Sequence, residues 1–302
     1  MNAQCRNLLL LVILATVGAT SGVAQAAPIP DLSGEYNHRG ISGFEPLASG
    51  PTSLVNLKRR EGNVSNNRQL VGDYHNPILT SETAQIVKKL GEMSLDHYGY
   101  PTPRNQCWPG GVPFEFTNNG LMMLQKPDEI LIIYRGGPQV RHVRMNQAHS
   151  ARVTPSWYGD SVGHYEGDTL VVDTVGVKIG PFAMVDWYGT PHSPALHVVE
   201  RYRLLDYAGA KEGVERNKKE NFIGDFRINP NDTGKHLQLF FTVADPGVLT
   251  TPWSATVTYG RVRPVPGVSE VSEWEENVCA ENPHKYGTEK DAAVPTADKP
   301  DF

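Results

Sequence analysis

The chain has 302 residues, with 28 Lys and Arg against 33 Asp and Glu and a formal net charge of −5. It contains no basic run, which argues against nucleic acid or an anionic membrane surface as partner. Twenty-nine glycines and 23 prolines imply many turns and few long helices.

Residues 1–26 read as a secretory signal peptide. Arg6 supplies the positive start, Leu8 to Val17 the apolar run, and Ala24-Gln25-Ala26 the small-x-small cleavage site. The apolar run is half of the roughly 20 residues a membrane span needs, so the expected location is periplasmic or secreted. Cys5 precedes the apolar run and is not placed to become a lipidated N-terminus. Removing Arg6 takes the charge from −5 to −6, and no later stretch is long and apolar enough to cross a bilayer. The mature chain keeps Cys107 and Cys279. In an oxidising compartment two distant cysteines are most simply a disulfide; a catalytic thiol and half a metal site are the alternatives, without local support.

Residues 27–113 read as an irregular region with one short helix. Pro28 to Arg39 is a lead-in loop running into a first strand, and residues 40–79 carry no sustained period. Thr80 to Met93 is a helix, capped by Thr80 or Ser81, with Ile86, Val87 and Leu90 as its apolar stripe. Pro101 to Pro113 is a rigid loop around Cys107. Residues 114–283 read as an antiparallel β domain. Its strands are Leu121–Gln125, Ile130–Tyr134, Val140–Met145, Ser161–Tyr165, Leu170–Val175, Leu196–Leu205, Leu237–Ala244 and Ser254–Arg263. The fold class is therefore mainly β: an antiparallel barrel of lipocalin type, or a β-sandwich, with long loops. A single meander explains the short connections. Asp206 to Gly234 is charged and glycine-punctuated and reads as a mobile flap with a short surface helix. Residues 284–302 form a loose tail.

Histidines and carboxylates crowd the strands between His142 and Arg203, and polar groups in apolar strands cost free energy unless paired or used. Glu166-Gly167-Asp168-Thr169 reads as a two-residue hairpin turn. The resulting register sets Glu166 against Thr169, His164 against Val171 and Val162 against Asp173, so His164 and Asp173 become diagonal neighbours. A carboxylate beside an imidazole fixes its tautomer, as a general base requires; a structural hydrogen bond is the alternative. The run Asp186 to Arg201 adds His192, His197 and Glu200, although an ion-pair role for Glu200 and Arg201 is as natural. The expected catalytic set is His164, Asp173, His192, His197 and Glu200, converging on one cavity. Trp157, Tyr158, Asp186, Tyr188, Arg201 and Trp253 are the expected ligand-binding residues, with Trp157 and Trp253 equally readable as core rings. No metal or cofactor is expected, because no standard metal spacing and no Gly-rich phosphate loop occurs.

The run from Trp157 to Thr174, including Ser161-Val162-Gly163-His164-Tyr165-Glu166-Gly167-Asp168-Thr169, resembles a signature of a large group of secreted bacterial proteins. The likeness continues through Gly189 to Arg203, Asp245-Pro246, Pro252-Trp253 and Glu273 to Asn282. It covers roughly residues 105–283 and implies secretion and a shared β-rich fold, not a reaction. Two departures stand out: Asn146-Gln147-Ala148 where members carry Asp-Gly-Arg before the histidine, and the insertion after Leu205.

Two function classes follow. One is a cofactor-free enzyme acting on a small apolar, ring-bearing molecule by general acid-base chemistry: elimination, isomerisation or hydrolysis. The other is a non-catalytic barrel that binds and carries such a molecule.

Overall fold

The computed structural model describes residues 29–37, 43–60, 62, 69–97, 99–117, 120–135, 137, 139–220, 234–262, 284–285 and 290–291. Its strands are β1 (Gly34–Asn37), β2 (Glu45–Pro46), β3 (Gly120–Gln125), β4 (Glu129–Tyr134) and β5 (Val140–Met145), then β6 (Asp160–Glu166), β7 (Thr169–Val175), β8 (His197–Leu205), β9 (His236–Ala244) and β10 (Trp253–Arg261). Nine of these, all but β2, close into a barrel, because β1 pairs with both β3 and β10. That closure selects the barrel over the sandwich. β2 covers the part of the β10 edge that β1 leaves, over Ala255 and Thr256. Two further strands, His284–Lys285 and Lys290–Asp291, pair with each other.

The expected all-antiparallel meander breaks once: β5 and β6 run parallel, with Val143 opposite Ser161 and Met145 opposite Gly163. Parity requires this. A closed ring of nine strands cannot alternate direction throughout, and the closing β1–β10 pair is antiparallel, so one other pair must run parallel. Parallel neighbours need a crossover of a dozen or more residues, which residues 146–159 supply. The β6–β7 hairpin has the expected register, Glu166 opposite Thr169 and Val162 opposite Asp173. Gly167 holds φ +62 at its tip, a conformation glycine adopts without penalty.

Side chains alternate inward and outward along each strand. Tyr36, Leu121, Met123, Ile130, Ile132, Tyr134, Val143, Leu170, Val172, Val198, Tyr202, Leu239, Phe241 and Val257 point in and are buried. So do two charged residues. Arg141 of β5 and Glu200 of β8 form a bidentate pair across the interior, Nη2 to Oε1 at 2.6 Å and Nη1 to Oε2 at 2.8 Å. Arg141 also donates to Ser161 Oγ, Thr174 Oγ1 and Tyr134 Oη, and Tyr202 donates to Glu200 Oε2. Burial alone would pull the guanidinium pKa down, but the Glu200 carboxylate outweighs it and Arg141 stays charged.

The segment that precedes β3 packs on the inward-facing residues: Phe116 lies against Tyr134 and Phe241, Phe44 against Phe241 and Trp253, and Tyr259 donates to Phe116 O. Here α2 (Ser81–His97) ends four residues later than expected and is capped by Thr80, whose Oγ1 accepts from Thr83 N. Its buried line is Thr83, Val87 and Ser94, with Leu90 partly buried, whereas Ile86 is exposed. A four-residue helix, α1 (Leu57–Arg60), precedes it. The insertion after β8 folds as α3 (Tyr207–Glu220). Its Ala210, Gly213 and Val214 are buried because α3 lies on the outer wall against β2 and β10. The short surface helix expected in this insertion is present, and a small-residue stripe at helical spacing docks it on the barrel wall. Residues 221–233 lie outside the described residues. Among the described residues no helix is long and apolar enough to cross a membrane.

Removing one partner of the central pair leaves an uncompensated buried charge, so Arg141→Ala or Glu200→Ala is expected to cost about 3–5 kcal/mol. Urea unfolding of the variants checks this, and a loss under about 1 kcal/mol would contradict it.

Candidate functional site

Because Ser161, Thr174 and Glu200 point inward, their strand neighbours Asp160, Asp173, Val199 and Arg201 point out. The outer face of β6, β7 and β8 thus carries Asp160, Val162 and His164 on one strand, Val171 and Asp173 on the next, and His197, Val199 and Arg201 on the third. Four expected site residues, His164, Asp173, His197 and Arg201, share this face. The crossover that parity demands begins at Asn146, held at φ 55, and lays His149 against the same wall.

His149 is the centre of the arrangement. Its Nδ1 lies 3.3 Å from Asp160 Oδ2 and its Nε2 3.0 Å from Asp173 Oδ1. His197 Nε2 lies 2.8 Å from that same Asp173 Oδ1. Asp160 in turn accepts from Arg144 Nη2 at 2.5 Å and from the Ser150 N–H at 2.8 Å. Burial pushes the Asp160 carboxyl up, but the Ser150 N–H, the Arg144 guanidinium and His149 outweigh it, and the net shift is downward. The side chains of His149, Asp173 and His197 are 28%, 38% and 42% exposed, so solvent and solutes reach them.

An ionised carboxylate only accepts, so His149 Nε2 and His197 Nε2 both donate to Asp173 Oδ1, and one carboxylate oxygen joins the two rings. Val162 and Val199 sit directly opposite Asp173 on the neighbouring strands and are half-buried, an apolar border on either side.

The other expected residues lie elsewhere, and the single-cavity expectation fails. His164 does not pair with Asp173; its Nε2 faces Glu166 Oε1 at 3.2 Å, and Arg201 donates to Glu166 Oε2 at 2.6 Å. Glu200 faces the barrel interior, one residue out of phase with His197 and Arg201, because the strand period is two. His192 is buried in the β7–β8 loop, donating through Nδ1 to Ser193 O, and burial lowers its pKa. Trp157 has the Lys178 ammonium 4.9 Å from its ring centre and stands edge-on to Trp108. Tyr158 is buried beside Tyr134, and its phenol pKa is raised by burial. Trp253 is a core ring against Phe44 and Phe241. Cys107 holds φ 56; Cys279, its expected disulfide partner, lies outside the described residues. His149 and Asp160 are absent from the set expected from sequence, since a crossover contact has no local signal. Arg141 was invisible for a related reason. In Val140-Arg141-His142-Val143-Arg144-Met145 polar residues fall on both faces.

Asp186 and Tyr188 lie in the β7–β8 loop, against residues of the segment that precedes β3. Asp186 Oδ1 accepts from the Tyr188 and Thr190 N–H groups, and its Oδ2 has no hydrogen-bond partner among the described residues. The adjoining cavity, lined by Phe44, Leu54, Thr117, Trp187 and Tyr188, has about 10 Å³ of free volume, room for a single water and not for a ring-bearing ligand. Burial raises the Asp186 pKa to about 6 and that of Glu115, which accepts from Gly110 N, to about 7.

Both carboxyls bind a proton more tightly folded than unfolded. Their stabilising contribution is complete below about pH 4 and is lost as pH rises through about 6 for Asp186 and about 7 for Glu115. Within its window each costs up to about 1.4 kcal/mol per pH unit. Urea unfolding between pH 4 and 8 should show this slope flattened in Asp186→Asn and in Glu115→Gln. Wild-type slopes unchanged in both variants would refute the assignment. No family model, curated protein or solved structure matches the chain.

Proposed function

We propose that the protein is a secreted, cofactor-free acid-base enzyme whose working groups are His197, Asp173 and His149 on the outer barrel wall. The observation that carries this reading is the shared Asp173 Oδ1, 2.8 Å from one imidazole and 3.0 Å from the other. In the proposed step His197 Nδ1 takes a proton from the substrate while Asp173 holds the resulting imidazolium. His149 supplies a proton to the atom that gains charge, and Asp160 with Arg144 keeps its ring oriented. Elimination, isomerisation and hydrolysis all fit this exchange. An apolar, ring-bearing substrate would rest on Val162 and Val199.

The carrier alternative draws less support, since the inward side chains Tyr134, Arg141, Glu200, Tyr202, Phe241 and Tyr259 have at most 1% of their surface accessible. A ligand cavity beside them would register as accessible surface. The proposal keeps the signal peptide over residues 1–26, the membership suggested by the Trp157 to Thr174 motif, and a Cys107–Cys279 disulfide.

The test starts from mass spectrometry of compounds that co-purify with the mature protein, each then incubated with it and followed for turnover. His197→Gln and His149→Gln are expected to cut turnover roughly 100-fold or more while the melting temperature stays within a few degrees of wild type. Binding without turnover, unchanged in both variants, would favour the carrier. Imidazole ¹⁵N shifts add a check that needs no substrate: His197 should show Nε2–H and a bare Nδ1, and the opposite tautomer would sink the assignment. Without reduction, iodoacetamide should label neither Cys107 nor Cys279; labelling of both would remove the disulfide.

A further inference from the structure

Glu45 of β2 lies outside the barrel wall and is 1% exposed. Its carboxyl is held from β10 alone: Thr258 N donates to Oε1 at 3.0 Å, and Thr256 Oγ1 and Thr258 Oγ1 donate to Oε2 at 2.8 and 3.1 Å. From the other side α3 closes over it. A Cβ on Gly213 would come within 2.5 Å of Glu45 Oε2, so an alanine there would have to displace the carboxyl from its threonine contacts. Among the described residues no cationic nitrogen lies within 4.0 Å of this carboxyl. Arg216, one turn along α3, pairs instead with Glu212, and its buried Nε has no partner among the described residues.

A buried carboxyl without a cation is tolerable neutral and costly charged. We propose that α3 is a proton-operated latch, closed over Glu45 while that carboxyl is neutral and lifted from β10 when it ionises. The other titratable groups facing the contact do not replace the missing cation. Tyr259 of β10 points into the barrel and donates to Phe116 O. His236 of β9 meets the start of the helix at the Tyr207 ring, 6.4 Å between ring centres. Lys211 pairs with Glu215 on the exposed face. Burial raises the Glu45 pKa, against the lowering effects of Thr256, Thr258 and Arg216. A raised carboxyl favours the closed latch at low pH and loses it as pH rises through the folded-state value. What lifts is a helix held by Ala210 and Val214, and what it uncovers is the outer wall at Thr256 and Thr258.

Backbone hydrogen exchange over residues 207–216 of the full mature chain, from pH 5 to 8 and corrected for intrinsic rates, tests the latch. In the wild type the opening equilibrium should rise with pH, by at most tenfold per unit for a single linked proton. Glu45→Gln keeps the threonine contacts without a charge and should stay protected and flat across the range. Gly213→Ala should exchange rapidly at every pH. A pH-independent wild type, the same slope in Glu45→Gln, or full protection in Gly213→Ala would each overturn the proposal.

Discussion

The buried Arg141–Glu200 pair sets the positions of everything around it. A nine-stranded barrel is wider than the eight-stranded kind that ordinary apolar side chains fill, and here the extra width is spanned by a guanidinium, a carboxylate and several tyrosines. Each N–H of Arg141 faces an acceptor on β4, β6, β7 or β8. A charge so enclosed permits one register only. Sliding any of those strands by a residue would turn Ser161, Thr174 or Glu200 outward and strand the guanidinium in the core. The same alternation that holds these three residues inside places Asp160, Asp173 and the face of His197 and Arg201 outside. The inner network and the outer imidazole chain are therefore two faces of one register.

Much of this was legible from local pattern. The β6–β7 hairpin needed only Gly167-Asp168 between two β-prone runs. The helix after Thr80 announced itself by its cap. Strand phase was legible where apolar residues alternate, as in Leu237 to Val243, and ambiguous where polar residues occupy both faces, as in Val140 to Met145. Glu200 illustrates the second case. It lies in a run of ionisable residues that invites a solvent-facing reading, and only the partner on β5, 59 residues away, explains why it is buried. The insertion misled for the opposite reason. Its charges suggested a solvent-facing helix on a loose flap, while the docking face consists of Ala210, Gly213 and Val214, residues too small to register as an apolar stripe.

A filled interior moves the search for function to the wall. Barrels that carry ligands reserve their centre for them; this one has placed its strongest ion pair there. The cavity beside Asp186 offers space for a water, not for a substrate. The outer face of β6 to β8 is open to solutes, and there imidazoles and carboxylates meet between two valines.

Strand parity ties that face to the architecture. With nine strands and an antiparallel closing pair, the ring must contain a parallel step, and a parallel step must be bridged by a long crossover. The crossover between Met145 and Asp160 runs across the wall it connects, and it carries His149 to Asp160 and Asp173. An eight-stranded meander with the same β7 and β8 would keep Asp173 and His197 but would have no segment passing over them. The position of His149 in the proposed site is thus a consequence of how the barrel closes, which explains why neither hairpin spacing nor strand period could have placed it.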